Sequence, residues 1–176
     1  VCGLFYTRNP VSDIEQTTNN QKDQVFVGSV RASLSLLNNL KFTTFYSLQN
    51  ANAWTGKYQM STLRSVAGKG GTANQSQSYD TQQVIENTLQ YINSWTDHNF
   101  QALLGQSYQT NLRHGFNAYN SGFPLDKILY NNLGLGEGIT TGEDANANMG
   151  SYKYKDKLAS FFARVMYNYD NKYFLS

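Results

Sequence analysis

The chain has 176 residues, enough for one domain with a sizeable core, and its net charge of +2 excludes the strongly basic surface of a nucleic-acid-binding protein. Charged residues make up 15% of the chain, below the roughly 25% of soluble domains, while aromatic residues reach 14%. No apolar run approaches the roughly 18 residues of a membrane-spanning helix, and the single cysteine, Cys2, excludes an internal disulfide. This composition is typical of a wall with one apolar and one wet face, and also of a secreted β-protein.

The first predicted strand covers residues 24–36, where apolar and polar side chains alternate. Phe26 and Leu34 fall on one face, whereas Ser29 and Arg31 fall on the other. This period of two predicts a strand that lies between apolar and polar surroundings. The same alternation predicts five more strands, at residues 40–49, 84–95, 100–109, 157–169 and 173–176.

Short connections predict three hairpins, in each of which the residues on either side of the turn point to the same face. The flanking pairs are Leu36 with Leu40, Trp95 with Phe100, and Tyr169 with Tyr173. All three pairings keep the apolar face continuous from strand to strand. Some apolar residues depart from the pattern and fall on the polar face, among them Phe45, Ile92, Leu103 and Phe162.

The connections between the hairpins are long, polar and rich in Gly, Asn, Ser and Thr, and they cover residues 50–82 and 110–156. Strands of about ten residues, with tight turns at one end and long loops at the other, are typical of an outer-membrane barrel. We therefore predict an all-β fold of antiparallel up-and-down strands that form part of a transmembrane barrel. A soluble β-fold also alternates polarity, but it gives no reason for the long loops to lie at one end only.

The segment KLASFFARVMYNYDNKYFLS, residues 157–176, resembles the late-barrel hairpin of the SusC/RagA family of TonB-linked outer-membrane transporters. Residues 99–109, NFQALLGQSYQ, are similar to a strand of that family, and residues 36–41 resemble an earlier hairpin. The resemblance therefore covers nearly the whole chain. The residues of the last segment that match the family's pattern are Ser160, Phe161, Arg164, Tyr167, Tyr169, Asp170, Lys172 and Tyr173.

The resemblance implies a large barrel of about 22 strands around an N-terminal plug, with the six strands of this chain as part of the wall. Members of the family lie in the bacterial outer membrane and import oligosaccharides, or peptides in some branches. The TonB complex supplies energy through N-terminal parts of the protein, and a SusD-like surface lipoprotein caps the barrel. Six strands cannot close in lipid, because an open edge leaves backbone groups unpaired at a cost of several kcal/mol each. We therefore expect residues 1–176 to be a partial receptor barrel within a longer polypeptide.

The titratable residues do not predict an enzyme. His98 and His114 are the only histidines, the first in a predicted turn and the second at a loop entrance. With one remote cysteine and no metal-ligand spacing, we predict no metal site, no nucleophilic site and no cofactor. Residues 67–71, AGKGG, lack the spacing and the Ser/Thr of a phosphate-binding loop.

Three lysines, Lys153, Lys155 and Lys157, cluster before the fifth predicted strand. Asp156 lies among them, and no combined stripe of basic and stacking residues accompanies them. The cluster therefore predicts a solvated strand entrance rather than a binding patch.

Two groups of aromatic residues are the candidate functional residues. Rings in the long loops are candidate ligand contacts, because ring faces stack on sugars while nearby Asn and Gln bond hydroxyls; the alternative is that these rings pack the loops. Rings beside the turns are candidates for a girdle at the membrane interface. The ligand candidates are Trp54, Tyr58, Tyr79, Phe116 and Tyr119, and the girdle candidates are Trp95, Phe100, Tyr169 and Tyr173.

The predicted function is TonB-dependent import of a nutrient ligand, an oligosaccharide or a peptide, across the outer membrane. The main alternative is a soluble or surface-exposed carbohydrate-binding β-domain without transport activity, and a second is a structural fragment with no independent activity. The hypotheses differ in what covers the apolar face. In a barrel wall the face meets lipid, whereas in a soluble domain it is buried in a core.

Overall fold

The computed structural model describes residues 10–141 and 148–176. Six strands form one antiparallel sheet, in which each strand pairs with its neighbours in sequence, so the predicted all-β up-and-down fold is confirmed. The strands are β1 (Thr17–Leu37), β2 (Leu40–Gln59), β3 (Thr72–Trp95), β4 (His98–Ser121), β5 (Asn148–Tyr169) and β6 (Tyr173–Leu175). Short helices lie outside the strands: α1 (Pro10–Glu15), α2 (Gly138–Thr141), and 3-10 turns at Arg64–Val66, Asp126–Ile128 and Leu133–Leu135.

The strands β1 to β5 are longer than predicted, and much of the two predicted long loops is strand. β2 continues to Gln59 and β3 begins at Thr72. Polar residues take both faces of these extensions, so hydropathy does not alternate there, whereas the hydrogen bonds of the backbone ladder form whatever the side chains are. The hydroxyl of Thr72 also donates to Gln59 Oε1 at 3.3 Å. Part of the predicted loop 110–156 lies outside the described residues, as does Cys2.

The turn between β5 and β6 has the predicted form, with Tyr169 paired with Tyr173 across three residues. Asp170 and Asn171 in this turn have left-handed φ angles of 49° and 52°. Asp and Asn adopt this conformation more readily than other non-glycine residues, because their short polar side chains bond the local backbone. Turn chemistry visible in the sequence therefore accounts for this hairpin.

The hairpin of β1 and β2 is supported by two contacts across the strands. Ser33 Oγ lies 3.0 Å from Thr43 Oγ1, and the Arg31 guanidinium lies 5.2 Å from the centre of the Phe45 ring. The predicted pairing of Leu36 with Leu40 also places Ser33 opposite Thr43 and Arg31 opposite Phe45, so both contacts agree with it. Phe45 departs from the alternation because its ring packs against a cation on the polar face.

The hairpin of β3 and β4 differs from the prediction. β3 ends at Trp95 and β4 begins at His98, so the turn has two residues and the predicted pairing of Trp95 with Phe100 is wrong. Trp95 stacks on His98, and Phe100 contacts Tyr91 with 6.2 Å between ring centres. The turn requires a left-handed residue, Thr96 at φ 49°, which a β-branched side chain disfavours, so the sequence did not signal it. The strand pairing is shifted by two residues relative to the prediction. Because side chains alternate between the two faces of a strand, each side chain stays on its predicted face.

The described residues fall into two compact units. The first, here called the strand unit, consists of Val25–Ala51, Asp80–Arg113 and Tyr154–Ser176. All of its residues are described, and none of them is buried. The strand unit is therefore a sheet with two open faces and no core of its own.

The second unit, here called the loop unit, consists of the described parts of Val1–Gln24, Asn52–Tyr79 and His114–Lys153. All of the buried residues in the described part of the chain belong to it. Its core contains Tyr58, Ala73, Phe123 and Tyr130. Its ordered loops are therefore held by packing, although their sequence is rich in polar and glycine residues.

Two glycines of β4 allow close approach from neighbouring strands. A Cβ at Gly105 would lie 2.1 Å from ring carbons of Phe162, so this ring covers the glycine on the polar face. A Cβ at Gly115 would lie 2.5 Å from the backbone oxygen of Gln77. Phe162 is an apolar residue on the polar face because its ring covers the backbone that Gly105, which has no side chain, leaves exposed.

Candidate lipid-facing and ligand-contacting surfaces

The strand unit has one continuous apolar face, built from the strand positions that the alternation assigns to it. Phe42, Leu89, Leu104 and Phe161 surround one shallow depression, although they come from four different strands. Leu104 is 58% exposed and Phe161 is 79% exposed. Further exposed members of this apolar face are Phe26, Val30, Leu34, Leu36, Tyr46, Ile85, Trp95, Val165 and Tyr169. A contiguous apolar surface of this kind is unusual on a soluble monomer and marks an interaction with another apolar phase or surface.

The reverse face of the strand unit carries polar contacts. Arg113 pairs with Asp80 at 2.7 Å, and Ser33 bonds Thr43. Arg164 lines an open cavity of about 530 Å³ on the turn side of the unit. This face is therefore suited to water or polar groups, while the apolar face is not.

Four rings form a row of ring contacts beside the turns of the strand unit. Trp95 stacks on His98 with 5.6 Å between ring centres, His98 lies 4.9 Å from Tyr169, and Tyr169 lies 6.4 Å from Tyr173. His98 Nδ1 also lies 2.6 Å from the Tyr167 hydroxyl. Three of the predicted girdle residues therefore meet in one row, and the row includes a histidine that the sequence placed in a turn. The girdle role itself stays a prediction.

The core of the loop unit joins the ends of the strands to the segments that follow them. The Tyr58 and Phe123 rings meet edge to face at 5.6 Å, and Trp54 and Tyr130 do so at 5.5 Å. The Gln75 side chain donates to the backbone oxygen of Tyr130. Aromatic pairs of this geometry add to the stability gained from burial, so they hold the loops in a defined arrangement.

Asp126 is the polar centre of this arrangement. Its carboxylate accepts hydrogen bonds from the Tyr58 hydroxyl, the Ser61 backbone amide and the Ser61 hydroxyl, each at 2.9 Å. Burial alone would raise the pKa of Asp126, but the hydrogen bonds from Ser61 and Tyr58 outweigh it and lower the pKa below its ordinary value. Burial, followed by the hydrogen bond to Asp126, raises the pKa of Tyr58. The ionised carboxylate thus ties residues 58–61 to the segment near 126.

We expect this tie to weaken in acid. Because the folded pKa of Asp126 is lowered, its contribution to stability is complete above the ordinary carboxyl pKa of about 3.9 and is lost as the pH falls through the lower folded value. Pepsin cleavage within residues 122–136 of the full-length protein should accelerate over that range. Asp126→Asn should be cleaved faster than wild type above that range, and the ratio of the two cleavage rates should approach one as the pH falls through it. Asp80→Asn, which removes an exposed ion pair, is the control and should behave as wild type. Unchanged pH dependence in Asp126→Asn would contradict the role of this carboxylate.

Asn120 anchors the segment that follows β4. Its side chain is 2% exposed, and its Nδ2 donates to the backbone oxygens of Leu133 and Gly136, both at 2.8 Å. Its Oδ1 accepts from the backbone amides of Ser121 and Ile139. One buried amide therefore satisfies four backbone groups of a segment that has little regular structure.

An open cleft of about 390 Å³ lies across β3, β4 and β5 in the loop unit. The Tyr79 and His114 rings stack in it with 4.7 Å between their centres and 21° between their planes. The residues that line this cleft are Tyr79, His114, Gly115, Phe116, Ser151, Tyr152 and Lys153. Long stretches of sequence separate these residues, and the pairing of adjacent strands brings them together.

The five predicted ligand residues have different surroundings. Tyr58 has 0% exposure and no surface to offer a ligand, so the prediction for this residue is corrected in favour of loop packing. Trp54 is half-buried and packs against the core of the loop unit. Tyr79 and Phe116 line the cleft, and Phe116 is 45% exposed. Tyr119 is half-buried in β4. Ligand contact by Tyr79, Phe116, Tyr119 and Trp54 stays a prediction.

Sequence reasoning missed His114 and Lys153 as neighbours of these rings. His114 was assigned to a loop entrance, and Lys153 to a solvated strand entrance. Tyr79, His114 and Phe116 line the cleft together with Lys153 but lie on other strands, so no local signal reports them. Longer strands with the predicted pairing of Trp95 and Phe100 would have placed Tyr79 opposite Phe116, close to His114.

Within residues 10–141 and 148–176, no three His, Cys, Asp or Glu side chains lie close enough together to hold a metal ion. No helix in residues 10–141 or 148–176 is long and apolar enough to cross a membrane.

Comparison with known proteins gives one sequence relative and several structural matches. No protein-family model matches the chain. The protein named TonB-dependent receptor P3, from Formosa agariphila, is 28% identical over 165 residues, which cover 94% of this chain and 16% of that protein. Structures of the RagAB peptide transporter and of the RagAB peptide importer in its closed-closed state match with TM-scores of 0.76 and 0.75. Both are 19% identical and cover 89% of this chain and 17% of the matched chain.

The structural likeness shows that the six strands have the fold of a stretch of that transporter. The resemblance to TonB-linked outer-membrane transporters, predicted from the sequence motifs, is confirmed by these relatives. This chain spans less than a fifth of the length of the relatives it matches.

Proposed function

We propose that this chain forms part of the barrel wall and external loops of a TonB-dependent receptor that imports a nutrient ligand across the bacterial outer membrane. The observation that carries the proposal is the strand unit, where exposed apolar side chains form one face and polar contacts the other, with no buried residue. A sheet of this kind is stable when lipid covers the apolar face and water or protein covers the polar face.

The proposal is favoured over a soluble carbohydrate-binding domain. A soluble domain would bury these aliphatic and aromatic side chains, because their burial is the main source of its stability. Here the core lies in the loop unit, around Tyr58 and Phe123, and the apolar face is no part of it. The second alternative, an inert structural fragment, is tested by transport through the full-length protein.

Residues 1–176 are, in this proposal, a partial receptor barrel that needs further strands to close. The strands β1 and β6 lie at the edges of the sheet, and unpaired edges are not tolerated in hydrocarbon. The proposed partners are a SusD-like surface lipoprotein, the TonB complex and outer-membrane lipid. The ligand is an oligosaccharide or a peptide; the matched RagAB structures are those of a peptide transporter.

The chain's proposed part in transport is mechanical and electrostatic rather than catalytic. The strands form a wall, and the loop unit forms an ordered part of the external surface. The relatives are named as a receptor and as a peptide transporter, which supports the prediction that this chain is not an enzyme.

The full-length protein tests the proposal through its behaviour on electrophoresis and in uptake. We expect it to fractionate with the outer membrane, to require detergent for extraction, and to migrate differently before and after boiling, as closed barrels do. Cells should accumulate its ligand only when TonB is present. Extraction in plain buffer without a boiling-dependent change would support the soluble alternative and overturn the proposal.

A further inference from the structure

The cleft of the loop unit combines aromatic rings with a lysine that has no hydrogen-bond or ion-pair partner among the described residues. We propose that this cleft binds an acidic sugar, a saccharide ring that bears a carboxylate, sulfate or phosphate group. The inference deepens the proposed function and rests on it for placing the cleft on the external side of the membrane.

The rings provide the surface on which a saccharide would stack. The Tyr79 and His114 rings stack on each other, with 4.7 Å between their centres and 21° between their planes, so each ring covers one face of the other. Phe116 follows on the same strand as His114 and is 45% exposed. The apolar faces of sugar rings pack against flat aromatic surfaces, and a hydroxyl such as that of Ser151 can bond the polar edge of the ring.

The charge in the cleft selects for an anion. Lys153 is exposed and makes no hydrogen bond or ion pair with any residue in the described ranges. None of the residues that line the cleft is Asp or Glu. An ammonium group without a carboxylate neighbour in the described part of the chain is available to an anionic substituent, and a charge-assisted hydrogen bond to it would be stronger than a neutral one.

A saccharide suits this cleft better than an extended peptide. Peptides commonly bind by adding a strand to a free edge, but β4 is already paired with β3 on one side and β5 on the other. The backbone beneath the cleft is therefore occupied, and side chains supply the contacts. The volume of about 390 Å³ is near the lower end for small-molecule sites, which suits a short stretch of a glycan.

The test uses the full-length receptor purified in detergent, with oligogalacturonate as the acidic probe and a malto-oligosaccharide of equal length as the neutral one. We expect the acidic probe to bind more tightly, and increasing salt to weaken its binding. Lys153→Ala should weaken binding of the acidic probe roughly tenfold, and Lys153→Arg should retain it. Phe116→Ala should weaken it roughly fivefold. Lys155→Ala removes a nearby lysine that does not line the cleft and should change nothing.

Competition identifies the source of the acidic sugar. Lipopolysaccharide that displaces oligogalacturonate from wild type, but binds weakly to Lys153→Ala, would support the inference with a lipid-linked ligand. Oligogalacturonate binding that lipopolysaccharide does not disturb would support it with a free glycan. Three results would overturn the inference. The receptor could bind both saccharides with equal affinity, or Lys153→Ala and Lys155→Ala could have equal effects. Alternatively, oligoglutamate could displace oligogalacturonate while Phe116→Ala still bound oligogalacturonate normally. A barrel that changes mobility on boiling and takes up ligand, yet fails these binding tests, would refute the inference while the proposed function stands.

Discussion

Phe161→Arg is expected to destabilise the folded barrel by about 2–4 kcal/mol, the cost of a cation on the lipid face near the middle of the bilayer. Phe161 is 79% exposed and lies on the apolar face, where it lines the same depression as Leu104 and Gln106 of β4. A guanidinium at this position would either leave water for hydrocarbon or distort the bilayer to reach its surface. The measurement is the free energy of unfolding in urea of the full-length protein refolded into lipid vesicles.

Ser160→Arg is the matched control, because it places the same side chain one residue earlier in β5. Successive side chains in a strand point to opposite faces, so this arginine joins the polar face. We expect a change within about 0.5 kcal/mol, as for surface substitutions elsewhere. Equal losses in the two variants would mean that the two faces do not differ in environment, and the membrane assignment would then be wrong.

Asn120→Ala is expected to release the segment after β4, at a local cost of about 2–3 kcal/mol. The substitution leaves the carbonyls of Leu133 and Gly136 and the amide of Ile139 without their buried partner. Asn120→Asp has nearly the same shape but turns two donors into an acceptor that faces carbonyl oxygens, so it should cost more than alanine. The measurement is hydrogen exchange of the amides in residues 121–139 of the full-length protein.

Asn131→Ala serves as the control for this prediction. Asn131 belongs to the same segment and donates to the Ile128 carbonyl at 3.0 Å, but its side chain is exposed. Water can replace that partner, so we expect little change in exchange. If the backbone amides of residues 121–139 exchanged at the same rates in Asn120→Asp and Asn131→Ala, the buried Asn120 side chain would not be what holds the segment.

The fold was predictable because one interaction dominates the strands. An apolar surface and a wet surface on opposite faces of a sheet impose a period of two that a single sequence displays, as Phe161 and Ser160 show. Turn residues that tolerate left-handed angles marked the last hairpin at Asp170 and Asn171. Where the turn used Thr96, which carries no such signal, the predicted turn was two residues too long.

The candidate site was predictable only as a set of residue types. Tyr58 and Tyr79 are the same residue in loops of similar composition, yet Tyr58 is buried against Phe123 while Tyr79 lines an open cleft. The difference arises from which strand and loop pack against each ring. Lys153 was assigned to a solvated strand entrance, and the rings of Tyr79, His114 and Phe116 that line the cleft with it lie on other strands.

By itself, the sequence determined the up-and-down sheet, the faces of its strands and the resemblance to TonB-linked transporters, because alternation and turn chemistry act between residues close together in the chain. Only the tertiary structure decided the length of the strands, the burial of Tyr58 and Asn120, and the meeting of Tyr79, His114 and Lys153. These features depend on backbone pairing and packing between segments far apart in sequence, and neither leaves a periodic pattern in the chain.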